Sequence, residues 1–128
     1  MTMNLLSFIT IAIGGTIGCW TRYVQTNLVQ LVYGRDFPYA TLSINVAGSF
    51  LMGFLFIETL ERLTASPELR TGILTGFLGG YTTFSTYSME LLLLTEQGEF
   101  AKAGLYFTLS AIFGFGAAFA GAYIARNL

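Results

Sequence analysis

The chain has no histidine and a single cysteine, Cys19, among its 128 residues. A zinc or haem site built on imidazoles or paired thiolates is therefore disfavoured, and a disulfide framework within the chain is excluded. Cys19 reads as a small packing residue. Charge is almost as scarce: six Lys and Arg and seven Asp and Glu leave a net charge of −1. So few charges cannot coat a soluble domain of this size, and they offer no basic face to a nucleic acid. Prolines number two, Pro38 and Pro67.

Apolar residues fill the space, at 54% of the chain with a mean hydropathy of +0.66. They gather into four stretches, Leu5 to Thr21, Tyr39 to Ile57, Thr71 to Met89 and Ala103 to Ala125. Each is close to the ~20 residues that cross ~30 Å of hydrocarbon as a helix. The expectation is an all-α membrane protein of four transmembrane helices, a single domain over residues 1–128 with no tandem repeat. The opening "MTMNLLSFITIAIGG" has neither the basic leader nor the cleavage pattern of a secretory signal, so it is expected to stay as the first helix.

Charge and turn residues collect between the stretches. "YGRDFP" closes helix 1 with Gly34 and opens helix 2 with Pro38; "ERLTASPELR" and "TEQGEFAK" make the other two connections. If both termini share a side, that side receives Arg62, Arg70 and Arg126, and the other receives Arg22, Arg35 and Lys102. Three against three sets no orientation under the positive-inside rule. Either so small a count is noise, or the chain inserts both ways and pairs with an inverted copy of itself. The second reading supplies the inverted halves that many transport folds need. Small residues four apart, Gly14 and Gly18, Ala117 and Gly121, Ala118 and Ala122, allow close helix packing in general.

A few polar residues lie inside the apolar stretches. Asn45, in helix 2, needs a partner in hydrocarbon and reads as a helix-to-helix hydrogen bond or a donor to an anion. Arg22 follows the first apolar stretch and belongs near one end of helix 1, either snorkelling or concentrating anions at a pore mouth. Glu58 reads as interfacial and Glu90 as the better functional candidate. The densest cluster is "GFLGGYTTFSTYSME" (Gly76 to Glu90), with five aliphatic hydroxyls between Tyr81 and Ser88. Gly79, Gly80, Tyr81, Thr82 and Thr83 are all poor in a helix interior, which predicts a break in helix 3 near the membrane centre. The carbonyls freed there need a neighbouring chain, water or a cation. Beyond the break, hydroxyls and the electropositive edges of Phe84 and Tyr87 suit a small, tightly hydrated anion, although a hydroxyl row can equally bond its own backbone.

"GGTIGCWTRY", "YATLSINVAGSF" and "GFLGGYTTFSTYSME" together resemble the Fluc fluoride channels, small bacterial and archaeal membrane proteins that export fluoride. The resemblance covers the first three helices, and helix 4 fits by length and by Tyr106 and Ser110. It implies a multi-pass protein of the bacterial inner membrane and not an enzyme. It implies an antiparallel, dual-topology homodimer set in membrane lipid, with two fluoride pores. It further implies a structural Na⁺ at the dimer centre, bound by the carbonyls of Gly79 and Thr82. By motif position Asn45, Phe84, Ser85 and Thr86 would line the pore, with Tyr106 and Ser110 on the helix 4 side. Arg22 would stand at the vestibule, and Glu90 is the acid ending the helix 3 motif. Tyr87 stands where the family usually has phenylalanine, and Tyr81 where an aliphatic residue is common. The alternative is a small dual-topology multidrug or cation transporter. Proton coupling in the multidrug class needs a carboxylate deep in helix 1, and none lies between Met1 and Arg22.

Overall fold

The computed structural model describes residues 3–62 and 65–128, so the "ERLTASPELR" connection is described except for Leu63 and Thr64. The regular structure among the described residues is all helical, with no strand. Helix α1 runs Leu5–Tyr33, α2 Tyr39–Ile57 with a π-helical continuation Glu58–Arg62, and α3 Pro67–Thr71. A π-helical stretch Gly72–Leu78 leads into the short α4, Gly79–Tyr81; α5 is Phe84–Glu96 and α6 Phe100–Asn127.

The helix ends follow the punctuation. Asn4 caps α1, its Oδ1 accepting from the Ser7 N–H at 2.8 Å, and Ser66 caps α3 ahead of Pro67. Gly34 ends α1 at φ +75°, and its N–H donates back to the Gln30 carbonyl. Glu68, half-buried on α3, accepts from the Asn4 amide at 3.0 Å and so ties the start of α1 to α3.

Helix α1 is much longer than its apolar stretch, which alters the place of Arg22. Polar residues beyond Thr21, among them Gln25, Asn27 and Gln30, end the apolar run without ending the helix, so Arg22 sits in the middle of α1 and not near its end.

Two intimate crossings hold the bundle together. Gly14 and Gly18 of α1 face the carbonyls of Gly72 and Phe77, and Gly53 and Gly121 seat α2 against α6. A methyl group at any of the four would collide with the opposing backbone. The small-residue spacing of Gly14, Gly18 and Gly121 thus serves packing within one chain. One buried cluster joins Ile44, Leu74, Leu78 and Tyr81, and another joins Phe37, Leu94, Ala103 and Tyr106. The exterior is apolar: Phe8, Leu28, Ile112, Phe115 and Phe119 are all more than half exposed. Helices Leu5–Tyr33, Tyr39–Arg62 and Phe100–Asn127 are each long and apolar enough to cross a membrane.

Candidate functional site

Between α4 and α5 the chain leaves helical geometry at two residues. Thr82 (φ −82°, ψ 161°) and Thr83 (φ −151°, ψ 120°) are extended, whereas Gly79 keeps helical angles (φ −63°, ψ −37°). The interruption therefore falls on β-branched residues, which favour extended backbone, and not on the adjoining glycines. Gly80 is needed for another reason: it lies against the Gly15 backbone of α1, where a Cβ would come within 2.6 Å of the Gly15 carbonyl oxygen.

An interrupted helix frees backbone groups, and each can be followed here. The Thr82 N–H still reaches the Leu78 carbonyl at 3.0 Å, and the Thr82 hydroxyl donates to the same oxygen at 2.8 Å. Thr83 is taken up by Asn45, whose Oδ1 accepts the Thr83 N–H and whose Nδ2 donates to the Thr83 carbonyl, both at 2.9 Å. The Asn45 amide thus acts as a substitute peptide group. The Gly80 carbonyl accepts from Arg22 Nε at 3.1 Å. The carbonyl oxygens of Gly79 and Thr82 receive no hydrogen bond from any described residue. Gly79 is exposed on the surface of the chain.

Helix α5 restarts with Thr83 as its cap, the hydroxyl oxygen accepting from the Thr86 N–H at 3.2 Å and its proton going to Thr86 Oγ1 at 3.1 Å. Ser85 Oγ lies 3.4 Å from the same hydroxyl. Ser88 donates to the Phe84 carbonyl one turn back. Thr82 and Ser88 therefore satisfy their own helices, while Thr83, Ser85 and Thr86 form a connected row. Phe84, at 79% exposure, projects from the first turn of α5. Asn45, Gly48, Thr82, Thr83 and Phe84 line one open cavity of about 320 Å³.

The electrostatics of this junction are two-sided. The carboxyl end of α4 presents carbonyl oxygens and partial negative charge, and the amino end of 13-residue α5 presents N–H groups and partial positive charge. Among the described residues no cluster of His, Cys, Asp and Glu could hold a metal ion. A cation at Gly79 and Thr82 would be held by neutral carbonyl oxygens, ligands that suit Na⁺.

Further along α5 the rings continue. Phe84 and Tyr87 have centroids 5.7 Å apart, and Tyr87 meets Tyr106 edge-on at 5.1 Å and 74°. Phe37, outside the expected set, extends the series at 5.7 Å from Tyr106. Tyr106 is fully buried and its hydroxyl donates to Glu90 Oε2 at 2.6 Å. Glu90 Oε1 accepts from the Thr41 hydroxyl at 2.8 Å, and Thr41 was likewise not anticipated. Thr41 and Asn45 are four apart on α2, so the face carrying Asn45 was the available signal. Glu90 opens onto a second cavity of about 420 Å³ with Arg35, Gln97 and Lys102 in its walls. Ser110 Oγ is buried with no hydrogen-bond partner among the described residues. The expected residues thus fall into a junction group around Asn45 and Phe84 and a ring-and-carboxylate group around Glu90 and Tyr106.

Comparison with known proteins bears on both groups. The family described as CrcB-like protein, Camphor Resistance (CrcB), matches residues 9–122. A protein of Acidithiobacillus ferrooxidans named fluoride-specific ion channel FluC is 62% identical, the match covering 91% of this chain and 94% of the relative. Proteins of the same name from Vibrio parahaemolyticus (44%, covering 92% and 91%) and Geobacter metallireducens (40%, covering 97% and 100%) are also similar. Matches of this extent, running through both groups of residues, mean that the chain belongs to the CrcB-like family.

Proposed function

We propose that this chain forms a fluoride-selective ion channel of the bacterial inner membrane, working by passive export. Its relatives are ion channels, and it is not an enzyme. The observation that carries the reading is the junction at Thr82–Thr83. There a connected hydroxyl row and an exposed ring stand beside the amino end of α5, all of them groups that present positive charge to an anion. Hydroxyls replace water around the ion without the deep trap that a fixed ammonium or guanidinium would set.

The finer arrangement belongs to the same proposal. Pro67–Glu96 crosses the membrane as one broken span, giving four spans in all, and the channel is an antiparallel dual-topology homodimer with two pores. Irregular backbone at membrane depth requires partners, and the open carbonyls of Gly79 and Thr82 find none among the described residues. Symmetry would bring the same two oxygens from an inverted copy to them, with Na⁺ between as counter-charge. Along the pore, Phe84 and Tyr87 offer ring edges, and Ser85, Thr86 and the unpartnered Ser110 hydroxyl offer donors. Arg22 contributes by fixing Gly80 and not as a free charge at a mouth.

The test is reconstitution into liposomes loaded with fluoride or chloride. Fluoride is expected to leave passively and chloride to stay. Assembled protein whose vesicles remain fluoride-tight would overturn the reading.

A further inference from the structure

Tyr81 is the last helical residue before the junction and is only 4% exposed. A buried phenol needs a partner, and this one donates to Gln25 Oε1 of α1 at 2.5 Å. Gln25 is itself held: its Nε2 donates to Ser43 Oγ of α2 at 3.2 Å, and Ser43 donates to the Ala40 carbonyl at 2.8 Å. Arg22, three residues before Gln25 and on the same face of α1, holds the Gly80 carbonyl. The Tyr81 ring also stacks on Phe77, with centroids 5.9 Å apart at 11°.

We propose that Gln25 is a positioning residue of the channel. Through the Tyr81 hydroxyl, it fixes the peptide planes immediately before the junction and so sets where the open carbonyls of Gly79 and Thr82 point. The inference rests on the reading of the junction as the conducting centre. Thr83 is fixed from α2 by Asn45, and Gly80 and Tyr81 from α1 by Arg22 and Gln25. Thr82, tied to the Leu78 carbonyl through its N–H and hydroxyl, lies between the two clamps, so the direction of its own free carbonyl depends on both. Arg22 secures a carbonyl but not the side chain of Tyr81, and without Gln25 that side chain has no polar tie. The Gln25 amide uses both ends, one on α4 and one on α2, and so ties the three helices at one depth.

The experiment uses full-length Tyr81→Phe, Gln25→Leu, their double variant and Ser43→Ala, reconstituted in liposomes with Phe84→Ile in parallel. Fluoride efflux per assembled protein, the fluoride-to-chloride ratio and the melting curve are read for each. Tyr81→Phe and Gln25→Leu are each expected to lose about tenfold in efflux and to leak chloride, the effect of losing the one hydrogen bond that orients the Tyr81 side chain. The double variant should match the single variants, because both act on one bond. Ser43→Ala, which leaves the Tyr81–Gln25 bond in place, should show a smaller loss in the same direction and carries the test if Tyr81→Phe fails to assemble. Losses that add, or that simply follow a lowered melting temperature with selectivity intact, overturn the proposal. Wild-type behaviour of the Tyr81, Gln25 and Ser43 variants beside an impaired Phe84→Ile sinks the positioning role alone. If Phe84→Ile conducts normally as well, the junction reading has failed.

Discussion

The Glu90 cluster and the Thr82–Thr83 junction both place strongly polar groups inside an apolar helical protein, but they are closed differently. At Glu90 each carboxylate oxygen has its own hydroxyl donor, Thr41 on one and Tyr106 on the other. The junction is closed at Thr83 and Gly80 and open at the neighbouring oxygens of Gly79 and Thr82. A closed polar network in a low dielectric fixes helices to one another, while an open one is costly unless something outside the chain completes it. The difference separates polar groups satisfied by other helices of the chain from carbonyls with no partner among the described residues.

Breaking the closed part of the junction should have the largest effect. Asn45→Ala leaves the Thr83 N–H and carbonyl both unpaired, at ~1–3 kcal/mol each. Together these are a large fraction of a total stability of about 5–15 kcal/mol, so a clearly lowered melting temperature and a reduced yield of assembled protein are expected. Gel filtration and a melting curve check this, and wild-type assembly would mean that Thr83 finds other partners.

Disturbing the open part should affect conduction more than assembly. A methyl group at Gly48 collides with the side-chain methyl of Thr82. Gly48→Ala should therefore cost ~1–3 kcal/mol of stability as an overpacked contact. Because Thr82 yields, efflux per assembled protein should fall by more than the melting curve does, and equal losses would place Thr82 among the packing residues.

The smallest effect is expected at the closed cluster. Tyr106→Phe keeps the ring against Tyr87 and Phe37 and leaves Glu90 with the Thr41 hydroxyl. Efflux should change by less than about tenfold, the equivalent of ~1.4 kcal/mol in a barrier. A much larger loss, with assembly intact, would show that the Tyr106 hydroxyl serves the ion and not the carboxylate.

Local chemistry was legible in the sequence wherever one residue decides the backbone. Gly34 ends α1 and Pro38 precedes α2 as the punctuation requires. The run Gly79 to Thr83 contains the irregular backbone, but low helix propensity at all five residues does not say which of them leave the helix. Gly79 and Gly80 stay helical, and Gly80 takes up a packing role against α1, while the threonines make the turn. Arg22 was misplaced because the end of an apolar run was read as the end of a helix. Partners distant in sequence were beyond reach: Asn45 and Thr83 are 38 residues apart, and Thr41 and Glu90 are 49 apart. One sequence gives the polar residues that need partners without saying which meet. Gln25 is one of several polar residues after Thr21 and Phe37 one ring in a connection, and each acquires its role only through contacts from other helices.

The length of α1 has a mechanical consequence. At ~1.5 Å per residue its 29 residues extend for roughly 43 Å, against a hydrocarbon layer of ~30 Å. Helix α6, at 28 residues, has the same excess. Both must either tilt steeply or stand out into the headgroup layer, and bilayer thickness selects between the two. Since α1 carries the Arg22 and Gln25 holds on α4, a change of tilt would be transmitted as a lever to the junction. Conduction should therefore respond to acyl-chain length in the host membrane, even though no residue at the junction need touch a lipid.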